Sequence, residues 1–333
     1  MLESRPWEGR VRRKRVAVAI VLAIAGGSLL AGAQQTPDSP EIKAHVELAR
    51  KTAGDDWAEA FAFYCALDPR TANRADDPVI VPTQVFDNLY AIGRTSTIVF
   101  ALKTSDGIIL IDSGYQNDVE TVLLPGMKAL NLDPATIKHV IVTHGHADHF
   151  GGAKYLQDTF GARVWVTAVD WDAMLRPPAA GRGGQAVAPP KRDMVIAEGQ
   201  PIVVGDTTVT PVSLAGHTPG TVAVIFPVKD RGTAHVAGLL GAPMLIPPPD
   251  AQVQQHLTSL QHFADIGRGM KVDVELLNHG MMDGTAAKLA RLQTRTAGGP
   301  NPFVVGWDSY QRFLTVSSEC LRAVLGRRAA AKS

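Results

Sequence analysis

The sequence predicts an α/β fold in which two sheets pack against each other with helices on their outer faces. Short β-type stretches occur in two groups along the chain, and each group is followed by helical segments. With 45% hydrophobic and 20% charged residues over 333 positions, the chain has enough apolar material for a sizeable core in one domain. The formal net charge of +1 gives no basic excess for nucleic acid and no acidic run for a disordered tail.

The first residues read as a targeting segment. "RVRRKR" (Arg10 to Arg15) precedes the apolar "VAVAIVLAIAGGSLLAGA", which ends in Ala31-Gly32-Ala33. A basic region, an apolar run and a small-residue site describe a secretory signal peptide cut after Ala33. An uncleaved anchor is the alternative, since 18 mostly apolar residues just reach across a bilayer. Cleavage is the expectation because Gly26, Gly27 and Ser28 weaken a helix before the small-residue site. Residues 1–33 are therefore read as signal, 34–82 as an N-terminal linker and helix, and 83–333 as the main domain. A periplasmic or secreted protein without a stable membrane anchor follows.

Glu41 to Leu67 has helical periodicity, and Pro69 to Pro82 reads as a loop. From Val85, "NLYAIG", "TSTIVFAL" and "GIILIDSG" are apolar strands bounded by Gly, Asp and Ser. "VETVLLPGMKALNL" is helical, and Val140 to Val142 form a buried strand that stops at Thr143. "GGAKYLQDTF" (helix), "ARVWVTA" (strand) and "VDWDAML" (short helix) follow. "RPPAAGRGGQAVAPP" (Arg176 to Pro190) is a long Pro/Gly loop of the length that often has a function, a lid being one possibility. The second group comprises a hairpin turning at Gly205-Asp206, then "TVAVIFPV" and "TAHVAGLL". The helix "AQVQQHLTSLQHFADIG", the strand "VDVELLNHG", a helix at "GTAAKLARLQTRT" and an amphipathic C-terminal helix close the chain.

Export permits disulfides. Cys65 falls in the N-terminal helical run and Cys320 in the last helix. A Cys65–Cys320 bridge is the favoured reading, with two separate buried thiols as the alternative.

The chemistry concentrates in "THGHADHFGG" (Thr143 to Gly152). Three imidazoles and a carboxylate occupy His144, His146, Asp148 and His149, directly after a buried strand. Zinc and similar metals take imidazole nitrogen and carboxylate oxygen. Four donors so close in sequence cannot converge on one tetrahedral ion, which points to two ions, each completed from elsewhere. Of the other histidines, His217 in "LAGHTPGT" and His279 in "ELLNHGMMDG" also stand where strands end. His45, His139, His235, His256 and His262 read as ordinary core-edge or surface residues, and Trp165 and Trp171 as core.

"THGHADH", "GHTPG" and "NHG", preceded by "ILIDSG", resemble the metallo-β-lactamase fold superfamily over about Val85 to Arg295. The resemblance implies a four-layer αββα sandwich with two zinc ions at one edge of the sheets. It implies a first site of His144, His146 and His217 and a second of Asp148, His149 and His279, with Asp112 orienting a ligand or the metal loop. Many members carry a bridging Asp after the strand that follows "GHTPG". Here Thr233 to Met244 hold no Asp, Cys or Ser, and the expected position falls at Gly238. The ligand set then resembles the His-rich third subclass of metallo-β-lactamases. The serines with which that subclass holds a substrate carboxylate correspond to Leu239 and Gly241, so the rim reads as apolar.

The expected activity is that of an exported di-zinc hydrolase opening a cyclic amide or ester of a small molecule. β-Lactam antibiotics lead, with antibiotic resistance as the consequence; lactones, other esters or amides are the alternative, and a non-catalytic metal-binding protein stands behind both. The expected nucleophile is a water shared by the two zincs, with Asp148 as the residue that accepts its proton.

Overall fold

The computed structural model describes residues 37–66, 77–176, 187–242, 244 and 249–332. The expected signal peptide, most of the Arg176 to Pro190 loop and part of the "LLGAPMLIPPP" rim lie outside the described residues. Within Asp38–Ser333, which form one compact unit, a seven-stranded and a five-stranded sheet organise the chain.

The first helix, α1 (Pro40–Ala53), begins where Ser39 Oγ accepts from Ile42 N–H at 3.3 Å, with Pro40 opening the helix and Glu41 in its first turn. Gly54 ends it with φ of +54°, so the helical run expected as one piece is two, and α2 (Ala58–Ala66) follows. The seven-stranded sheet then runs in sequence order through β1 (Thr83–Phe86), β2 (Leu89–Gly93), β3 (Ile98–Thr104), β4 (Gly107–Ile111), β5 (Ile137–Ile141), β6 (Arg163–Thr167) and β7 (Met194–Ile196). β1 to β4 are antiparallel; β4 to β7 are parallel. Parallel neighbours need crossovers. These are a π-turn (Val119–Leu123) running into α3 (Leu124–Ala129), then α4 (Ala147–Phe150) with α5 (Ala153–Phe160), and α6 (Ala168–Met174).

The five-stranded sheet has the order β12-β11-β10-β9-β8, built from β8 (Ile202–Val204), β9 (Thr207–Ser213), β10 (Val222–Asp230), β11 (Thr233–Leu240) and β12 (Val274–Leu277). α7 (Asp250–Gly269) connects β11 to β12; α8 (Thr285–Gln293) and α9 (Trp307–Ala330) follow.

Side-chain alternation along the strands generates the layers. Ile98, Phe100 and Leu102 of β3 face Val222, Val224 and Phe226 of β10 in the core between the sheets. Val99 and Ala101 face the opposite way, into a second core with Met127, Leu156 and Trp171. A third core lies on the far side of the five-stranded sheet, where α1, α2, α7 and α9 cover Val212, Ala223 and Ile225. This is the expected αββα sandwich. The Cys65–Cys320 disulfide is formed and ties α2 to α9. Among the described residues, no helix is long and apolar enough to cross a membrane.

The three-residue strand β7 was not expected. "KRDMVIAEG" looks too charged for a strand, but Asp193 pairs with Arg163 and accepts from Val164 N–H, which seats β7 beside β6.

Candidate metal centre

β5 ends beneath the "THGHADH" loop, and α4 turns that loop back over the sheet edge. The tight turn depends on Gly151. A Cβ there would come within 2.5 Å of Ala147 O and Gln116 N, so only glycine lets the loop lie against the segment after β4.

All six expected ligands meet at this edge. His217 Nε2 lies 2.9 Å from His146 Nδ1, and His144, His146 and His217 each offer a nitrogen within 4.8 Å of the others. His144, His149 and His279 do the same, so His144 is within reach of both groups. His149 Nε2 lies 3.1 Å from His279 Nε2 and 3.2 Å from Asp148 Oδ2. His144, His149 and His279 are buried, while His146 is exposed and His217 partly so; the centre opens on that side.

The partners behind the rings fix their tautomers. His144 Nδ1 donates to Gly241 O at 3.0 Å, His149 Nδ1 to Asp112 Oδ2 at 2.7 Å, and His279 Nδ1 to Ser96 O at 2.5 Å. With the proton on Nδ1, each Nε2 presents a lone pair. His144 Nε2 is buried with no hydrogen-bond partner, and the Nε2 atoms of His149 and His279 face each other. Lone pairs converging in a buried space call for a cation.

The electrostatics agree. Burial opposes charge on His149, but Asp148 and Asp112 on either side outweigh it and raise its pKa to about 10. Burial drives His279 down to about 4 and His217 to about 2, and holds His144 well below its ordinary value, with neighbouring histidines adding to the effect. Burial would raise Asp148, yet His149 and His279 bring it below the usual carboxylate range. His144, His217 and His279 are thus neutral imidazoles, while Asp148 and Asp112 draw positive charge to His149, the place where an ion bound at His149 Nε2 would supply it. A divalent ion fits this donor set.

The match to known proteins follows this geometry. Residues 92–237 match the metallo-beta-lactamase superfamily. The subclass B3 metallo-beta-lactamase of Bradyrhizobium japonicum superposes with a TM-score of 0.65 and 25% identity, covering 76% of this chain and 96% of that one. This is a metallo-β-lactamase fold. The native metallo-beta-lactamase of Legionella gormanii shares it at a TM-score of 0.65 and 21% identity, over 76% of this chain and 98% of that chain. By sequence, the hydroxyacylglutathione hydrolase of Jannaschia sp. (strain CCS1) is 30% identical over 138 residues, 41% of this chain and 48% of that protein. The chain spans at most about half the length of the curated relatives it matches. The fold and the donor set together place a candidate metal site at the sheet edge.

Within the metallo-β-lactamase fold, two expectations need correction. A Cβ on Gly238 would meet Phe263, Val272 and Tyr310, so this position faces the covering helices and no carboxylate there would reach the centre. Leu239 is fully buried in the core between the sheets and forms no part of a rim. Strand alternation was misplaced by a few residues. Gly241 is the residue that reaches the centre, through its carbonyl, and a Cβ there would come within 1.9 Å of Val222 O.

Asp112 is buried at φ +62°, a conformation rare for a residue with a side chain. It accepts from Thr143 N–H at 2.8 Å and Asn278 Nδ2 at 2.9 Å as well as from His149. Asn278 also donates to Gly241 O at 2.6 Å, joining β12 to the metal loop. Asp170 of α6 accepts from Gly145 N–H at 2.8 Å, Thr218 Oγ1 at 2.7 Å and Gly220 N–H at 3.1 Å, fastening "HGHADH" to "GHTPG". Sequence reasoning missed Asn278, Asp170, Ser96 and Gly241. Only the adjacency of Asn278 to His279 gave a signal.

The histidines read as ordinary are so. His139 takes the Trp165 indole N–H at 2.9 Å, His235 pairs with Asp273, His262 with Glu198 and His45 with Glu319, and His256 is buried beneath Gly216. Trp171 is core, as expected.

Proposed function

We propose that the protein is an exported di-zinc hydrolase that opens a cyclic amide or ester of a small molecule, with β-lactams the leading substrates. The observation that carries this reading is the second group of donors: His149 and His279 point their Nε2 atoms at one space beside Asp148, while Gly241 leaves no room for a bridging side chain. That favours the His-rich ligand set over one completed by an Asp.

In this reading His144, His146 and His217 hold one ion, and Asp148, His149 and His279 hold the other. Two zinc ions there supply Lewis acidity, polarising a carbonyl and making water a nucleophile near neutral pH. The chain's own groups do the rest. Gly241 O, Asp112 and Ser96 O keep the protons of His144, His149 and His279 on Nδ1. Asp148, whose side chain is 25% exposed, presents a carboxylate oxygen on the open side to accept a proton from the attacking water. Export is supported by the signal-like residues 10–33 and by the Cys65–Cys320 disulfide.

A second reading, hydrolysis of a hydroxyacylglutathione-type thioester, draws support from the sequence relative in Jannaschia sp.. Turnover of a chromogenic cephalosporin, a lactone panel and a hydroxyacylglutathione by zinc-loaded protein separates the two. Cephalosporin opening supports the first. Thioester or lactone turnover without any β-lactam hydrolysis overturns the β-lactam assignment.

A further inference from the structure

Away from the metal centre, a cavity of about 670 Å³ lies among α8, the segment after it, and the starts of α2 and α9. This volume is in the range of small-molecule sites. No metal-centre residue lines it. Its lining includes the indole of Trp57 and the ammonium of Lys288, both buried. Lys288 Nζ lies 4.8 Å from the Trp57 ring centroid, and the Trp57 indole N–H is fixed on Ser309 O at 2.9 Å. Pro302 and Val305 contribute apolar wall.

The charges around the cavity are unequal. Arg295 is held by Asp230 at 2.6 and 2.7 Å, Arg312 by Asp56, and Lys288 by Glu275 and Asp283. The Arg291 side chain is exposed, and its guanidinium makes no ion pair or hydrogen bond among the described residues. One uncompensated guanidinium therefore stands beside a recess of mixed lining, whose apolar part is the edge of Trp57 with Pro302, Val304 and Val305.

We propose that this cavity is a second binding site, taking a small organic acid with one carboxylate on an apolar or aromatic body. The body lies against the edge of Trp57, Pro302 and Val305, and the carboxylate meets Arg291, whose planar fork suits it. The site is independent of the substrate assigned to the metal centre.

Calorimetric titration of the zinc-loaded full chain with 1-naphthoate tests this, with 1-naphthylmethanol as the uncharged counterpart. Naphthoate binds at least tenfold more tightly than the alcohol. Arg291→Glu weakens naphthoate at least tenfold and leaves the alcohol and hydrolysis unchanged; Arg291→Gln does so to a lesser degree. Three results overturn the site: no naphthoate binding, equal binding by wild type and Arg291→Glu, or loss of binding when the metal is removed with a chelator, which would place the ligand at the metal centre.

Discussion

Asp112 brings donors from β5, α4 and the end of β12 onto one buried carboxylate, and holds an unfavourable backbone angle to do so. Asp112→Ala removes the acceptor that keeps the His149 proton on Nδ1. Zinc affinity in a chelator competition is expected to fall about 10- to 100-fold; unchanged affinity would reduce Asp112 to a turn residue. Gly241→Ala forces a Cβ into Val222 O and displaces the carbonyl that orients His144. Its expected cost is about 1–3 kcal/mol in denaturant unfolding, together with loss of zinc; wild-type stability and zinc content would contradict this. The six donors that meet at the centre were legible in the sequence because four of them fall within six residues, and His217 and His279 stand at strand ends. The residues behind them were not, because an Asn, an Asp in a short helix and two backbone carbonyls acquire a role only when separate segments meet.

At the scale of elements, β12 and α8 are joined by a buried charge cluster next to the loop that carries His279. Burial pushes Glu275 up to about 8 against the pull of the Lys288 ammonium, and Asp283 adds to the rise. In the unfolded chain Glu275 releases its proton near its ordinary 4.5. Between about pH 5 and 8 the native state therefore holds a proton that the unfolded state has lost, and stability falls as pH rises. Glu275→Gln is expected to flatten this dependence and to be more stable than wild type at pH 8 in thermal unfolding; parallel pH profiles would contradict it. Most strands and helices were legible from apolar runs and their Gly/Pro boundaries. The exceptions have physical causes: β7 is three residues long and gains its place through Asp193, and the N-terminal helix breaks where Gly54 takes a positive φ.

At the scale of the whole molecule, the two sheets meet in one apolar core, and the metal centre forms where their strand ends converge. The two groups of strands in the sequence anticipated this. The register between the sheets is not legible in the sequence, and strand alternation alone therefore puts Gly238 and Leu239 at the site edge, whereas they face the helices and the core. The Cys65–Cys320 bridge closes a loop of 255 residues and joins the first helices to the last. Chain entropy gives such a closure on the order of 4–5 kcal/mol. The double variant Cys65→Ser/Cys320→Ser should unfold at lower denaturant while keeping its zinc, because neither cysteine approaches the centre; loss of zinc along with stability would contradict that separation. The central claim, a hydrolase built on two ions, is tested most directly by counting metal in the purified protein alongside its hydrolysis. Two zinc ions per chain are expected in wild type and one in His149→Ala, with hydrolysis lost. A metal-free wild type, or His149→Ala with unchanged metal and activity, would contradict it.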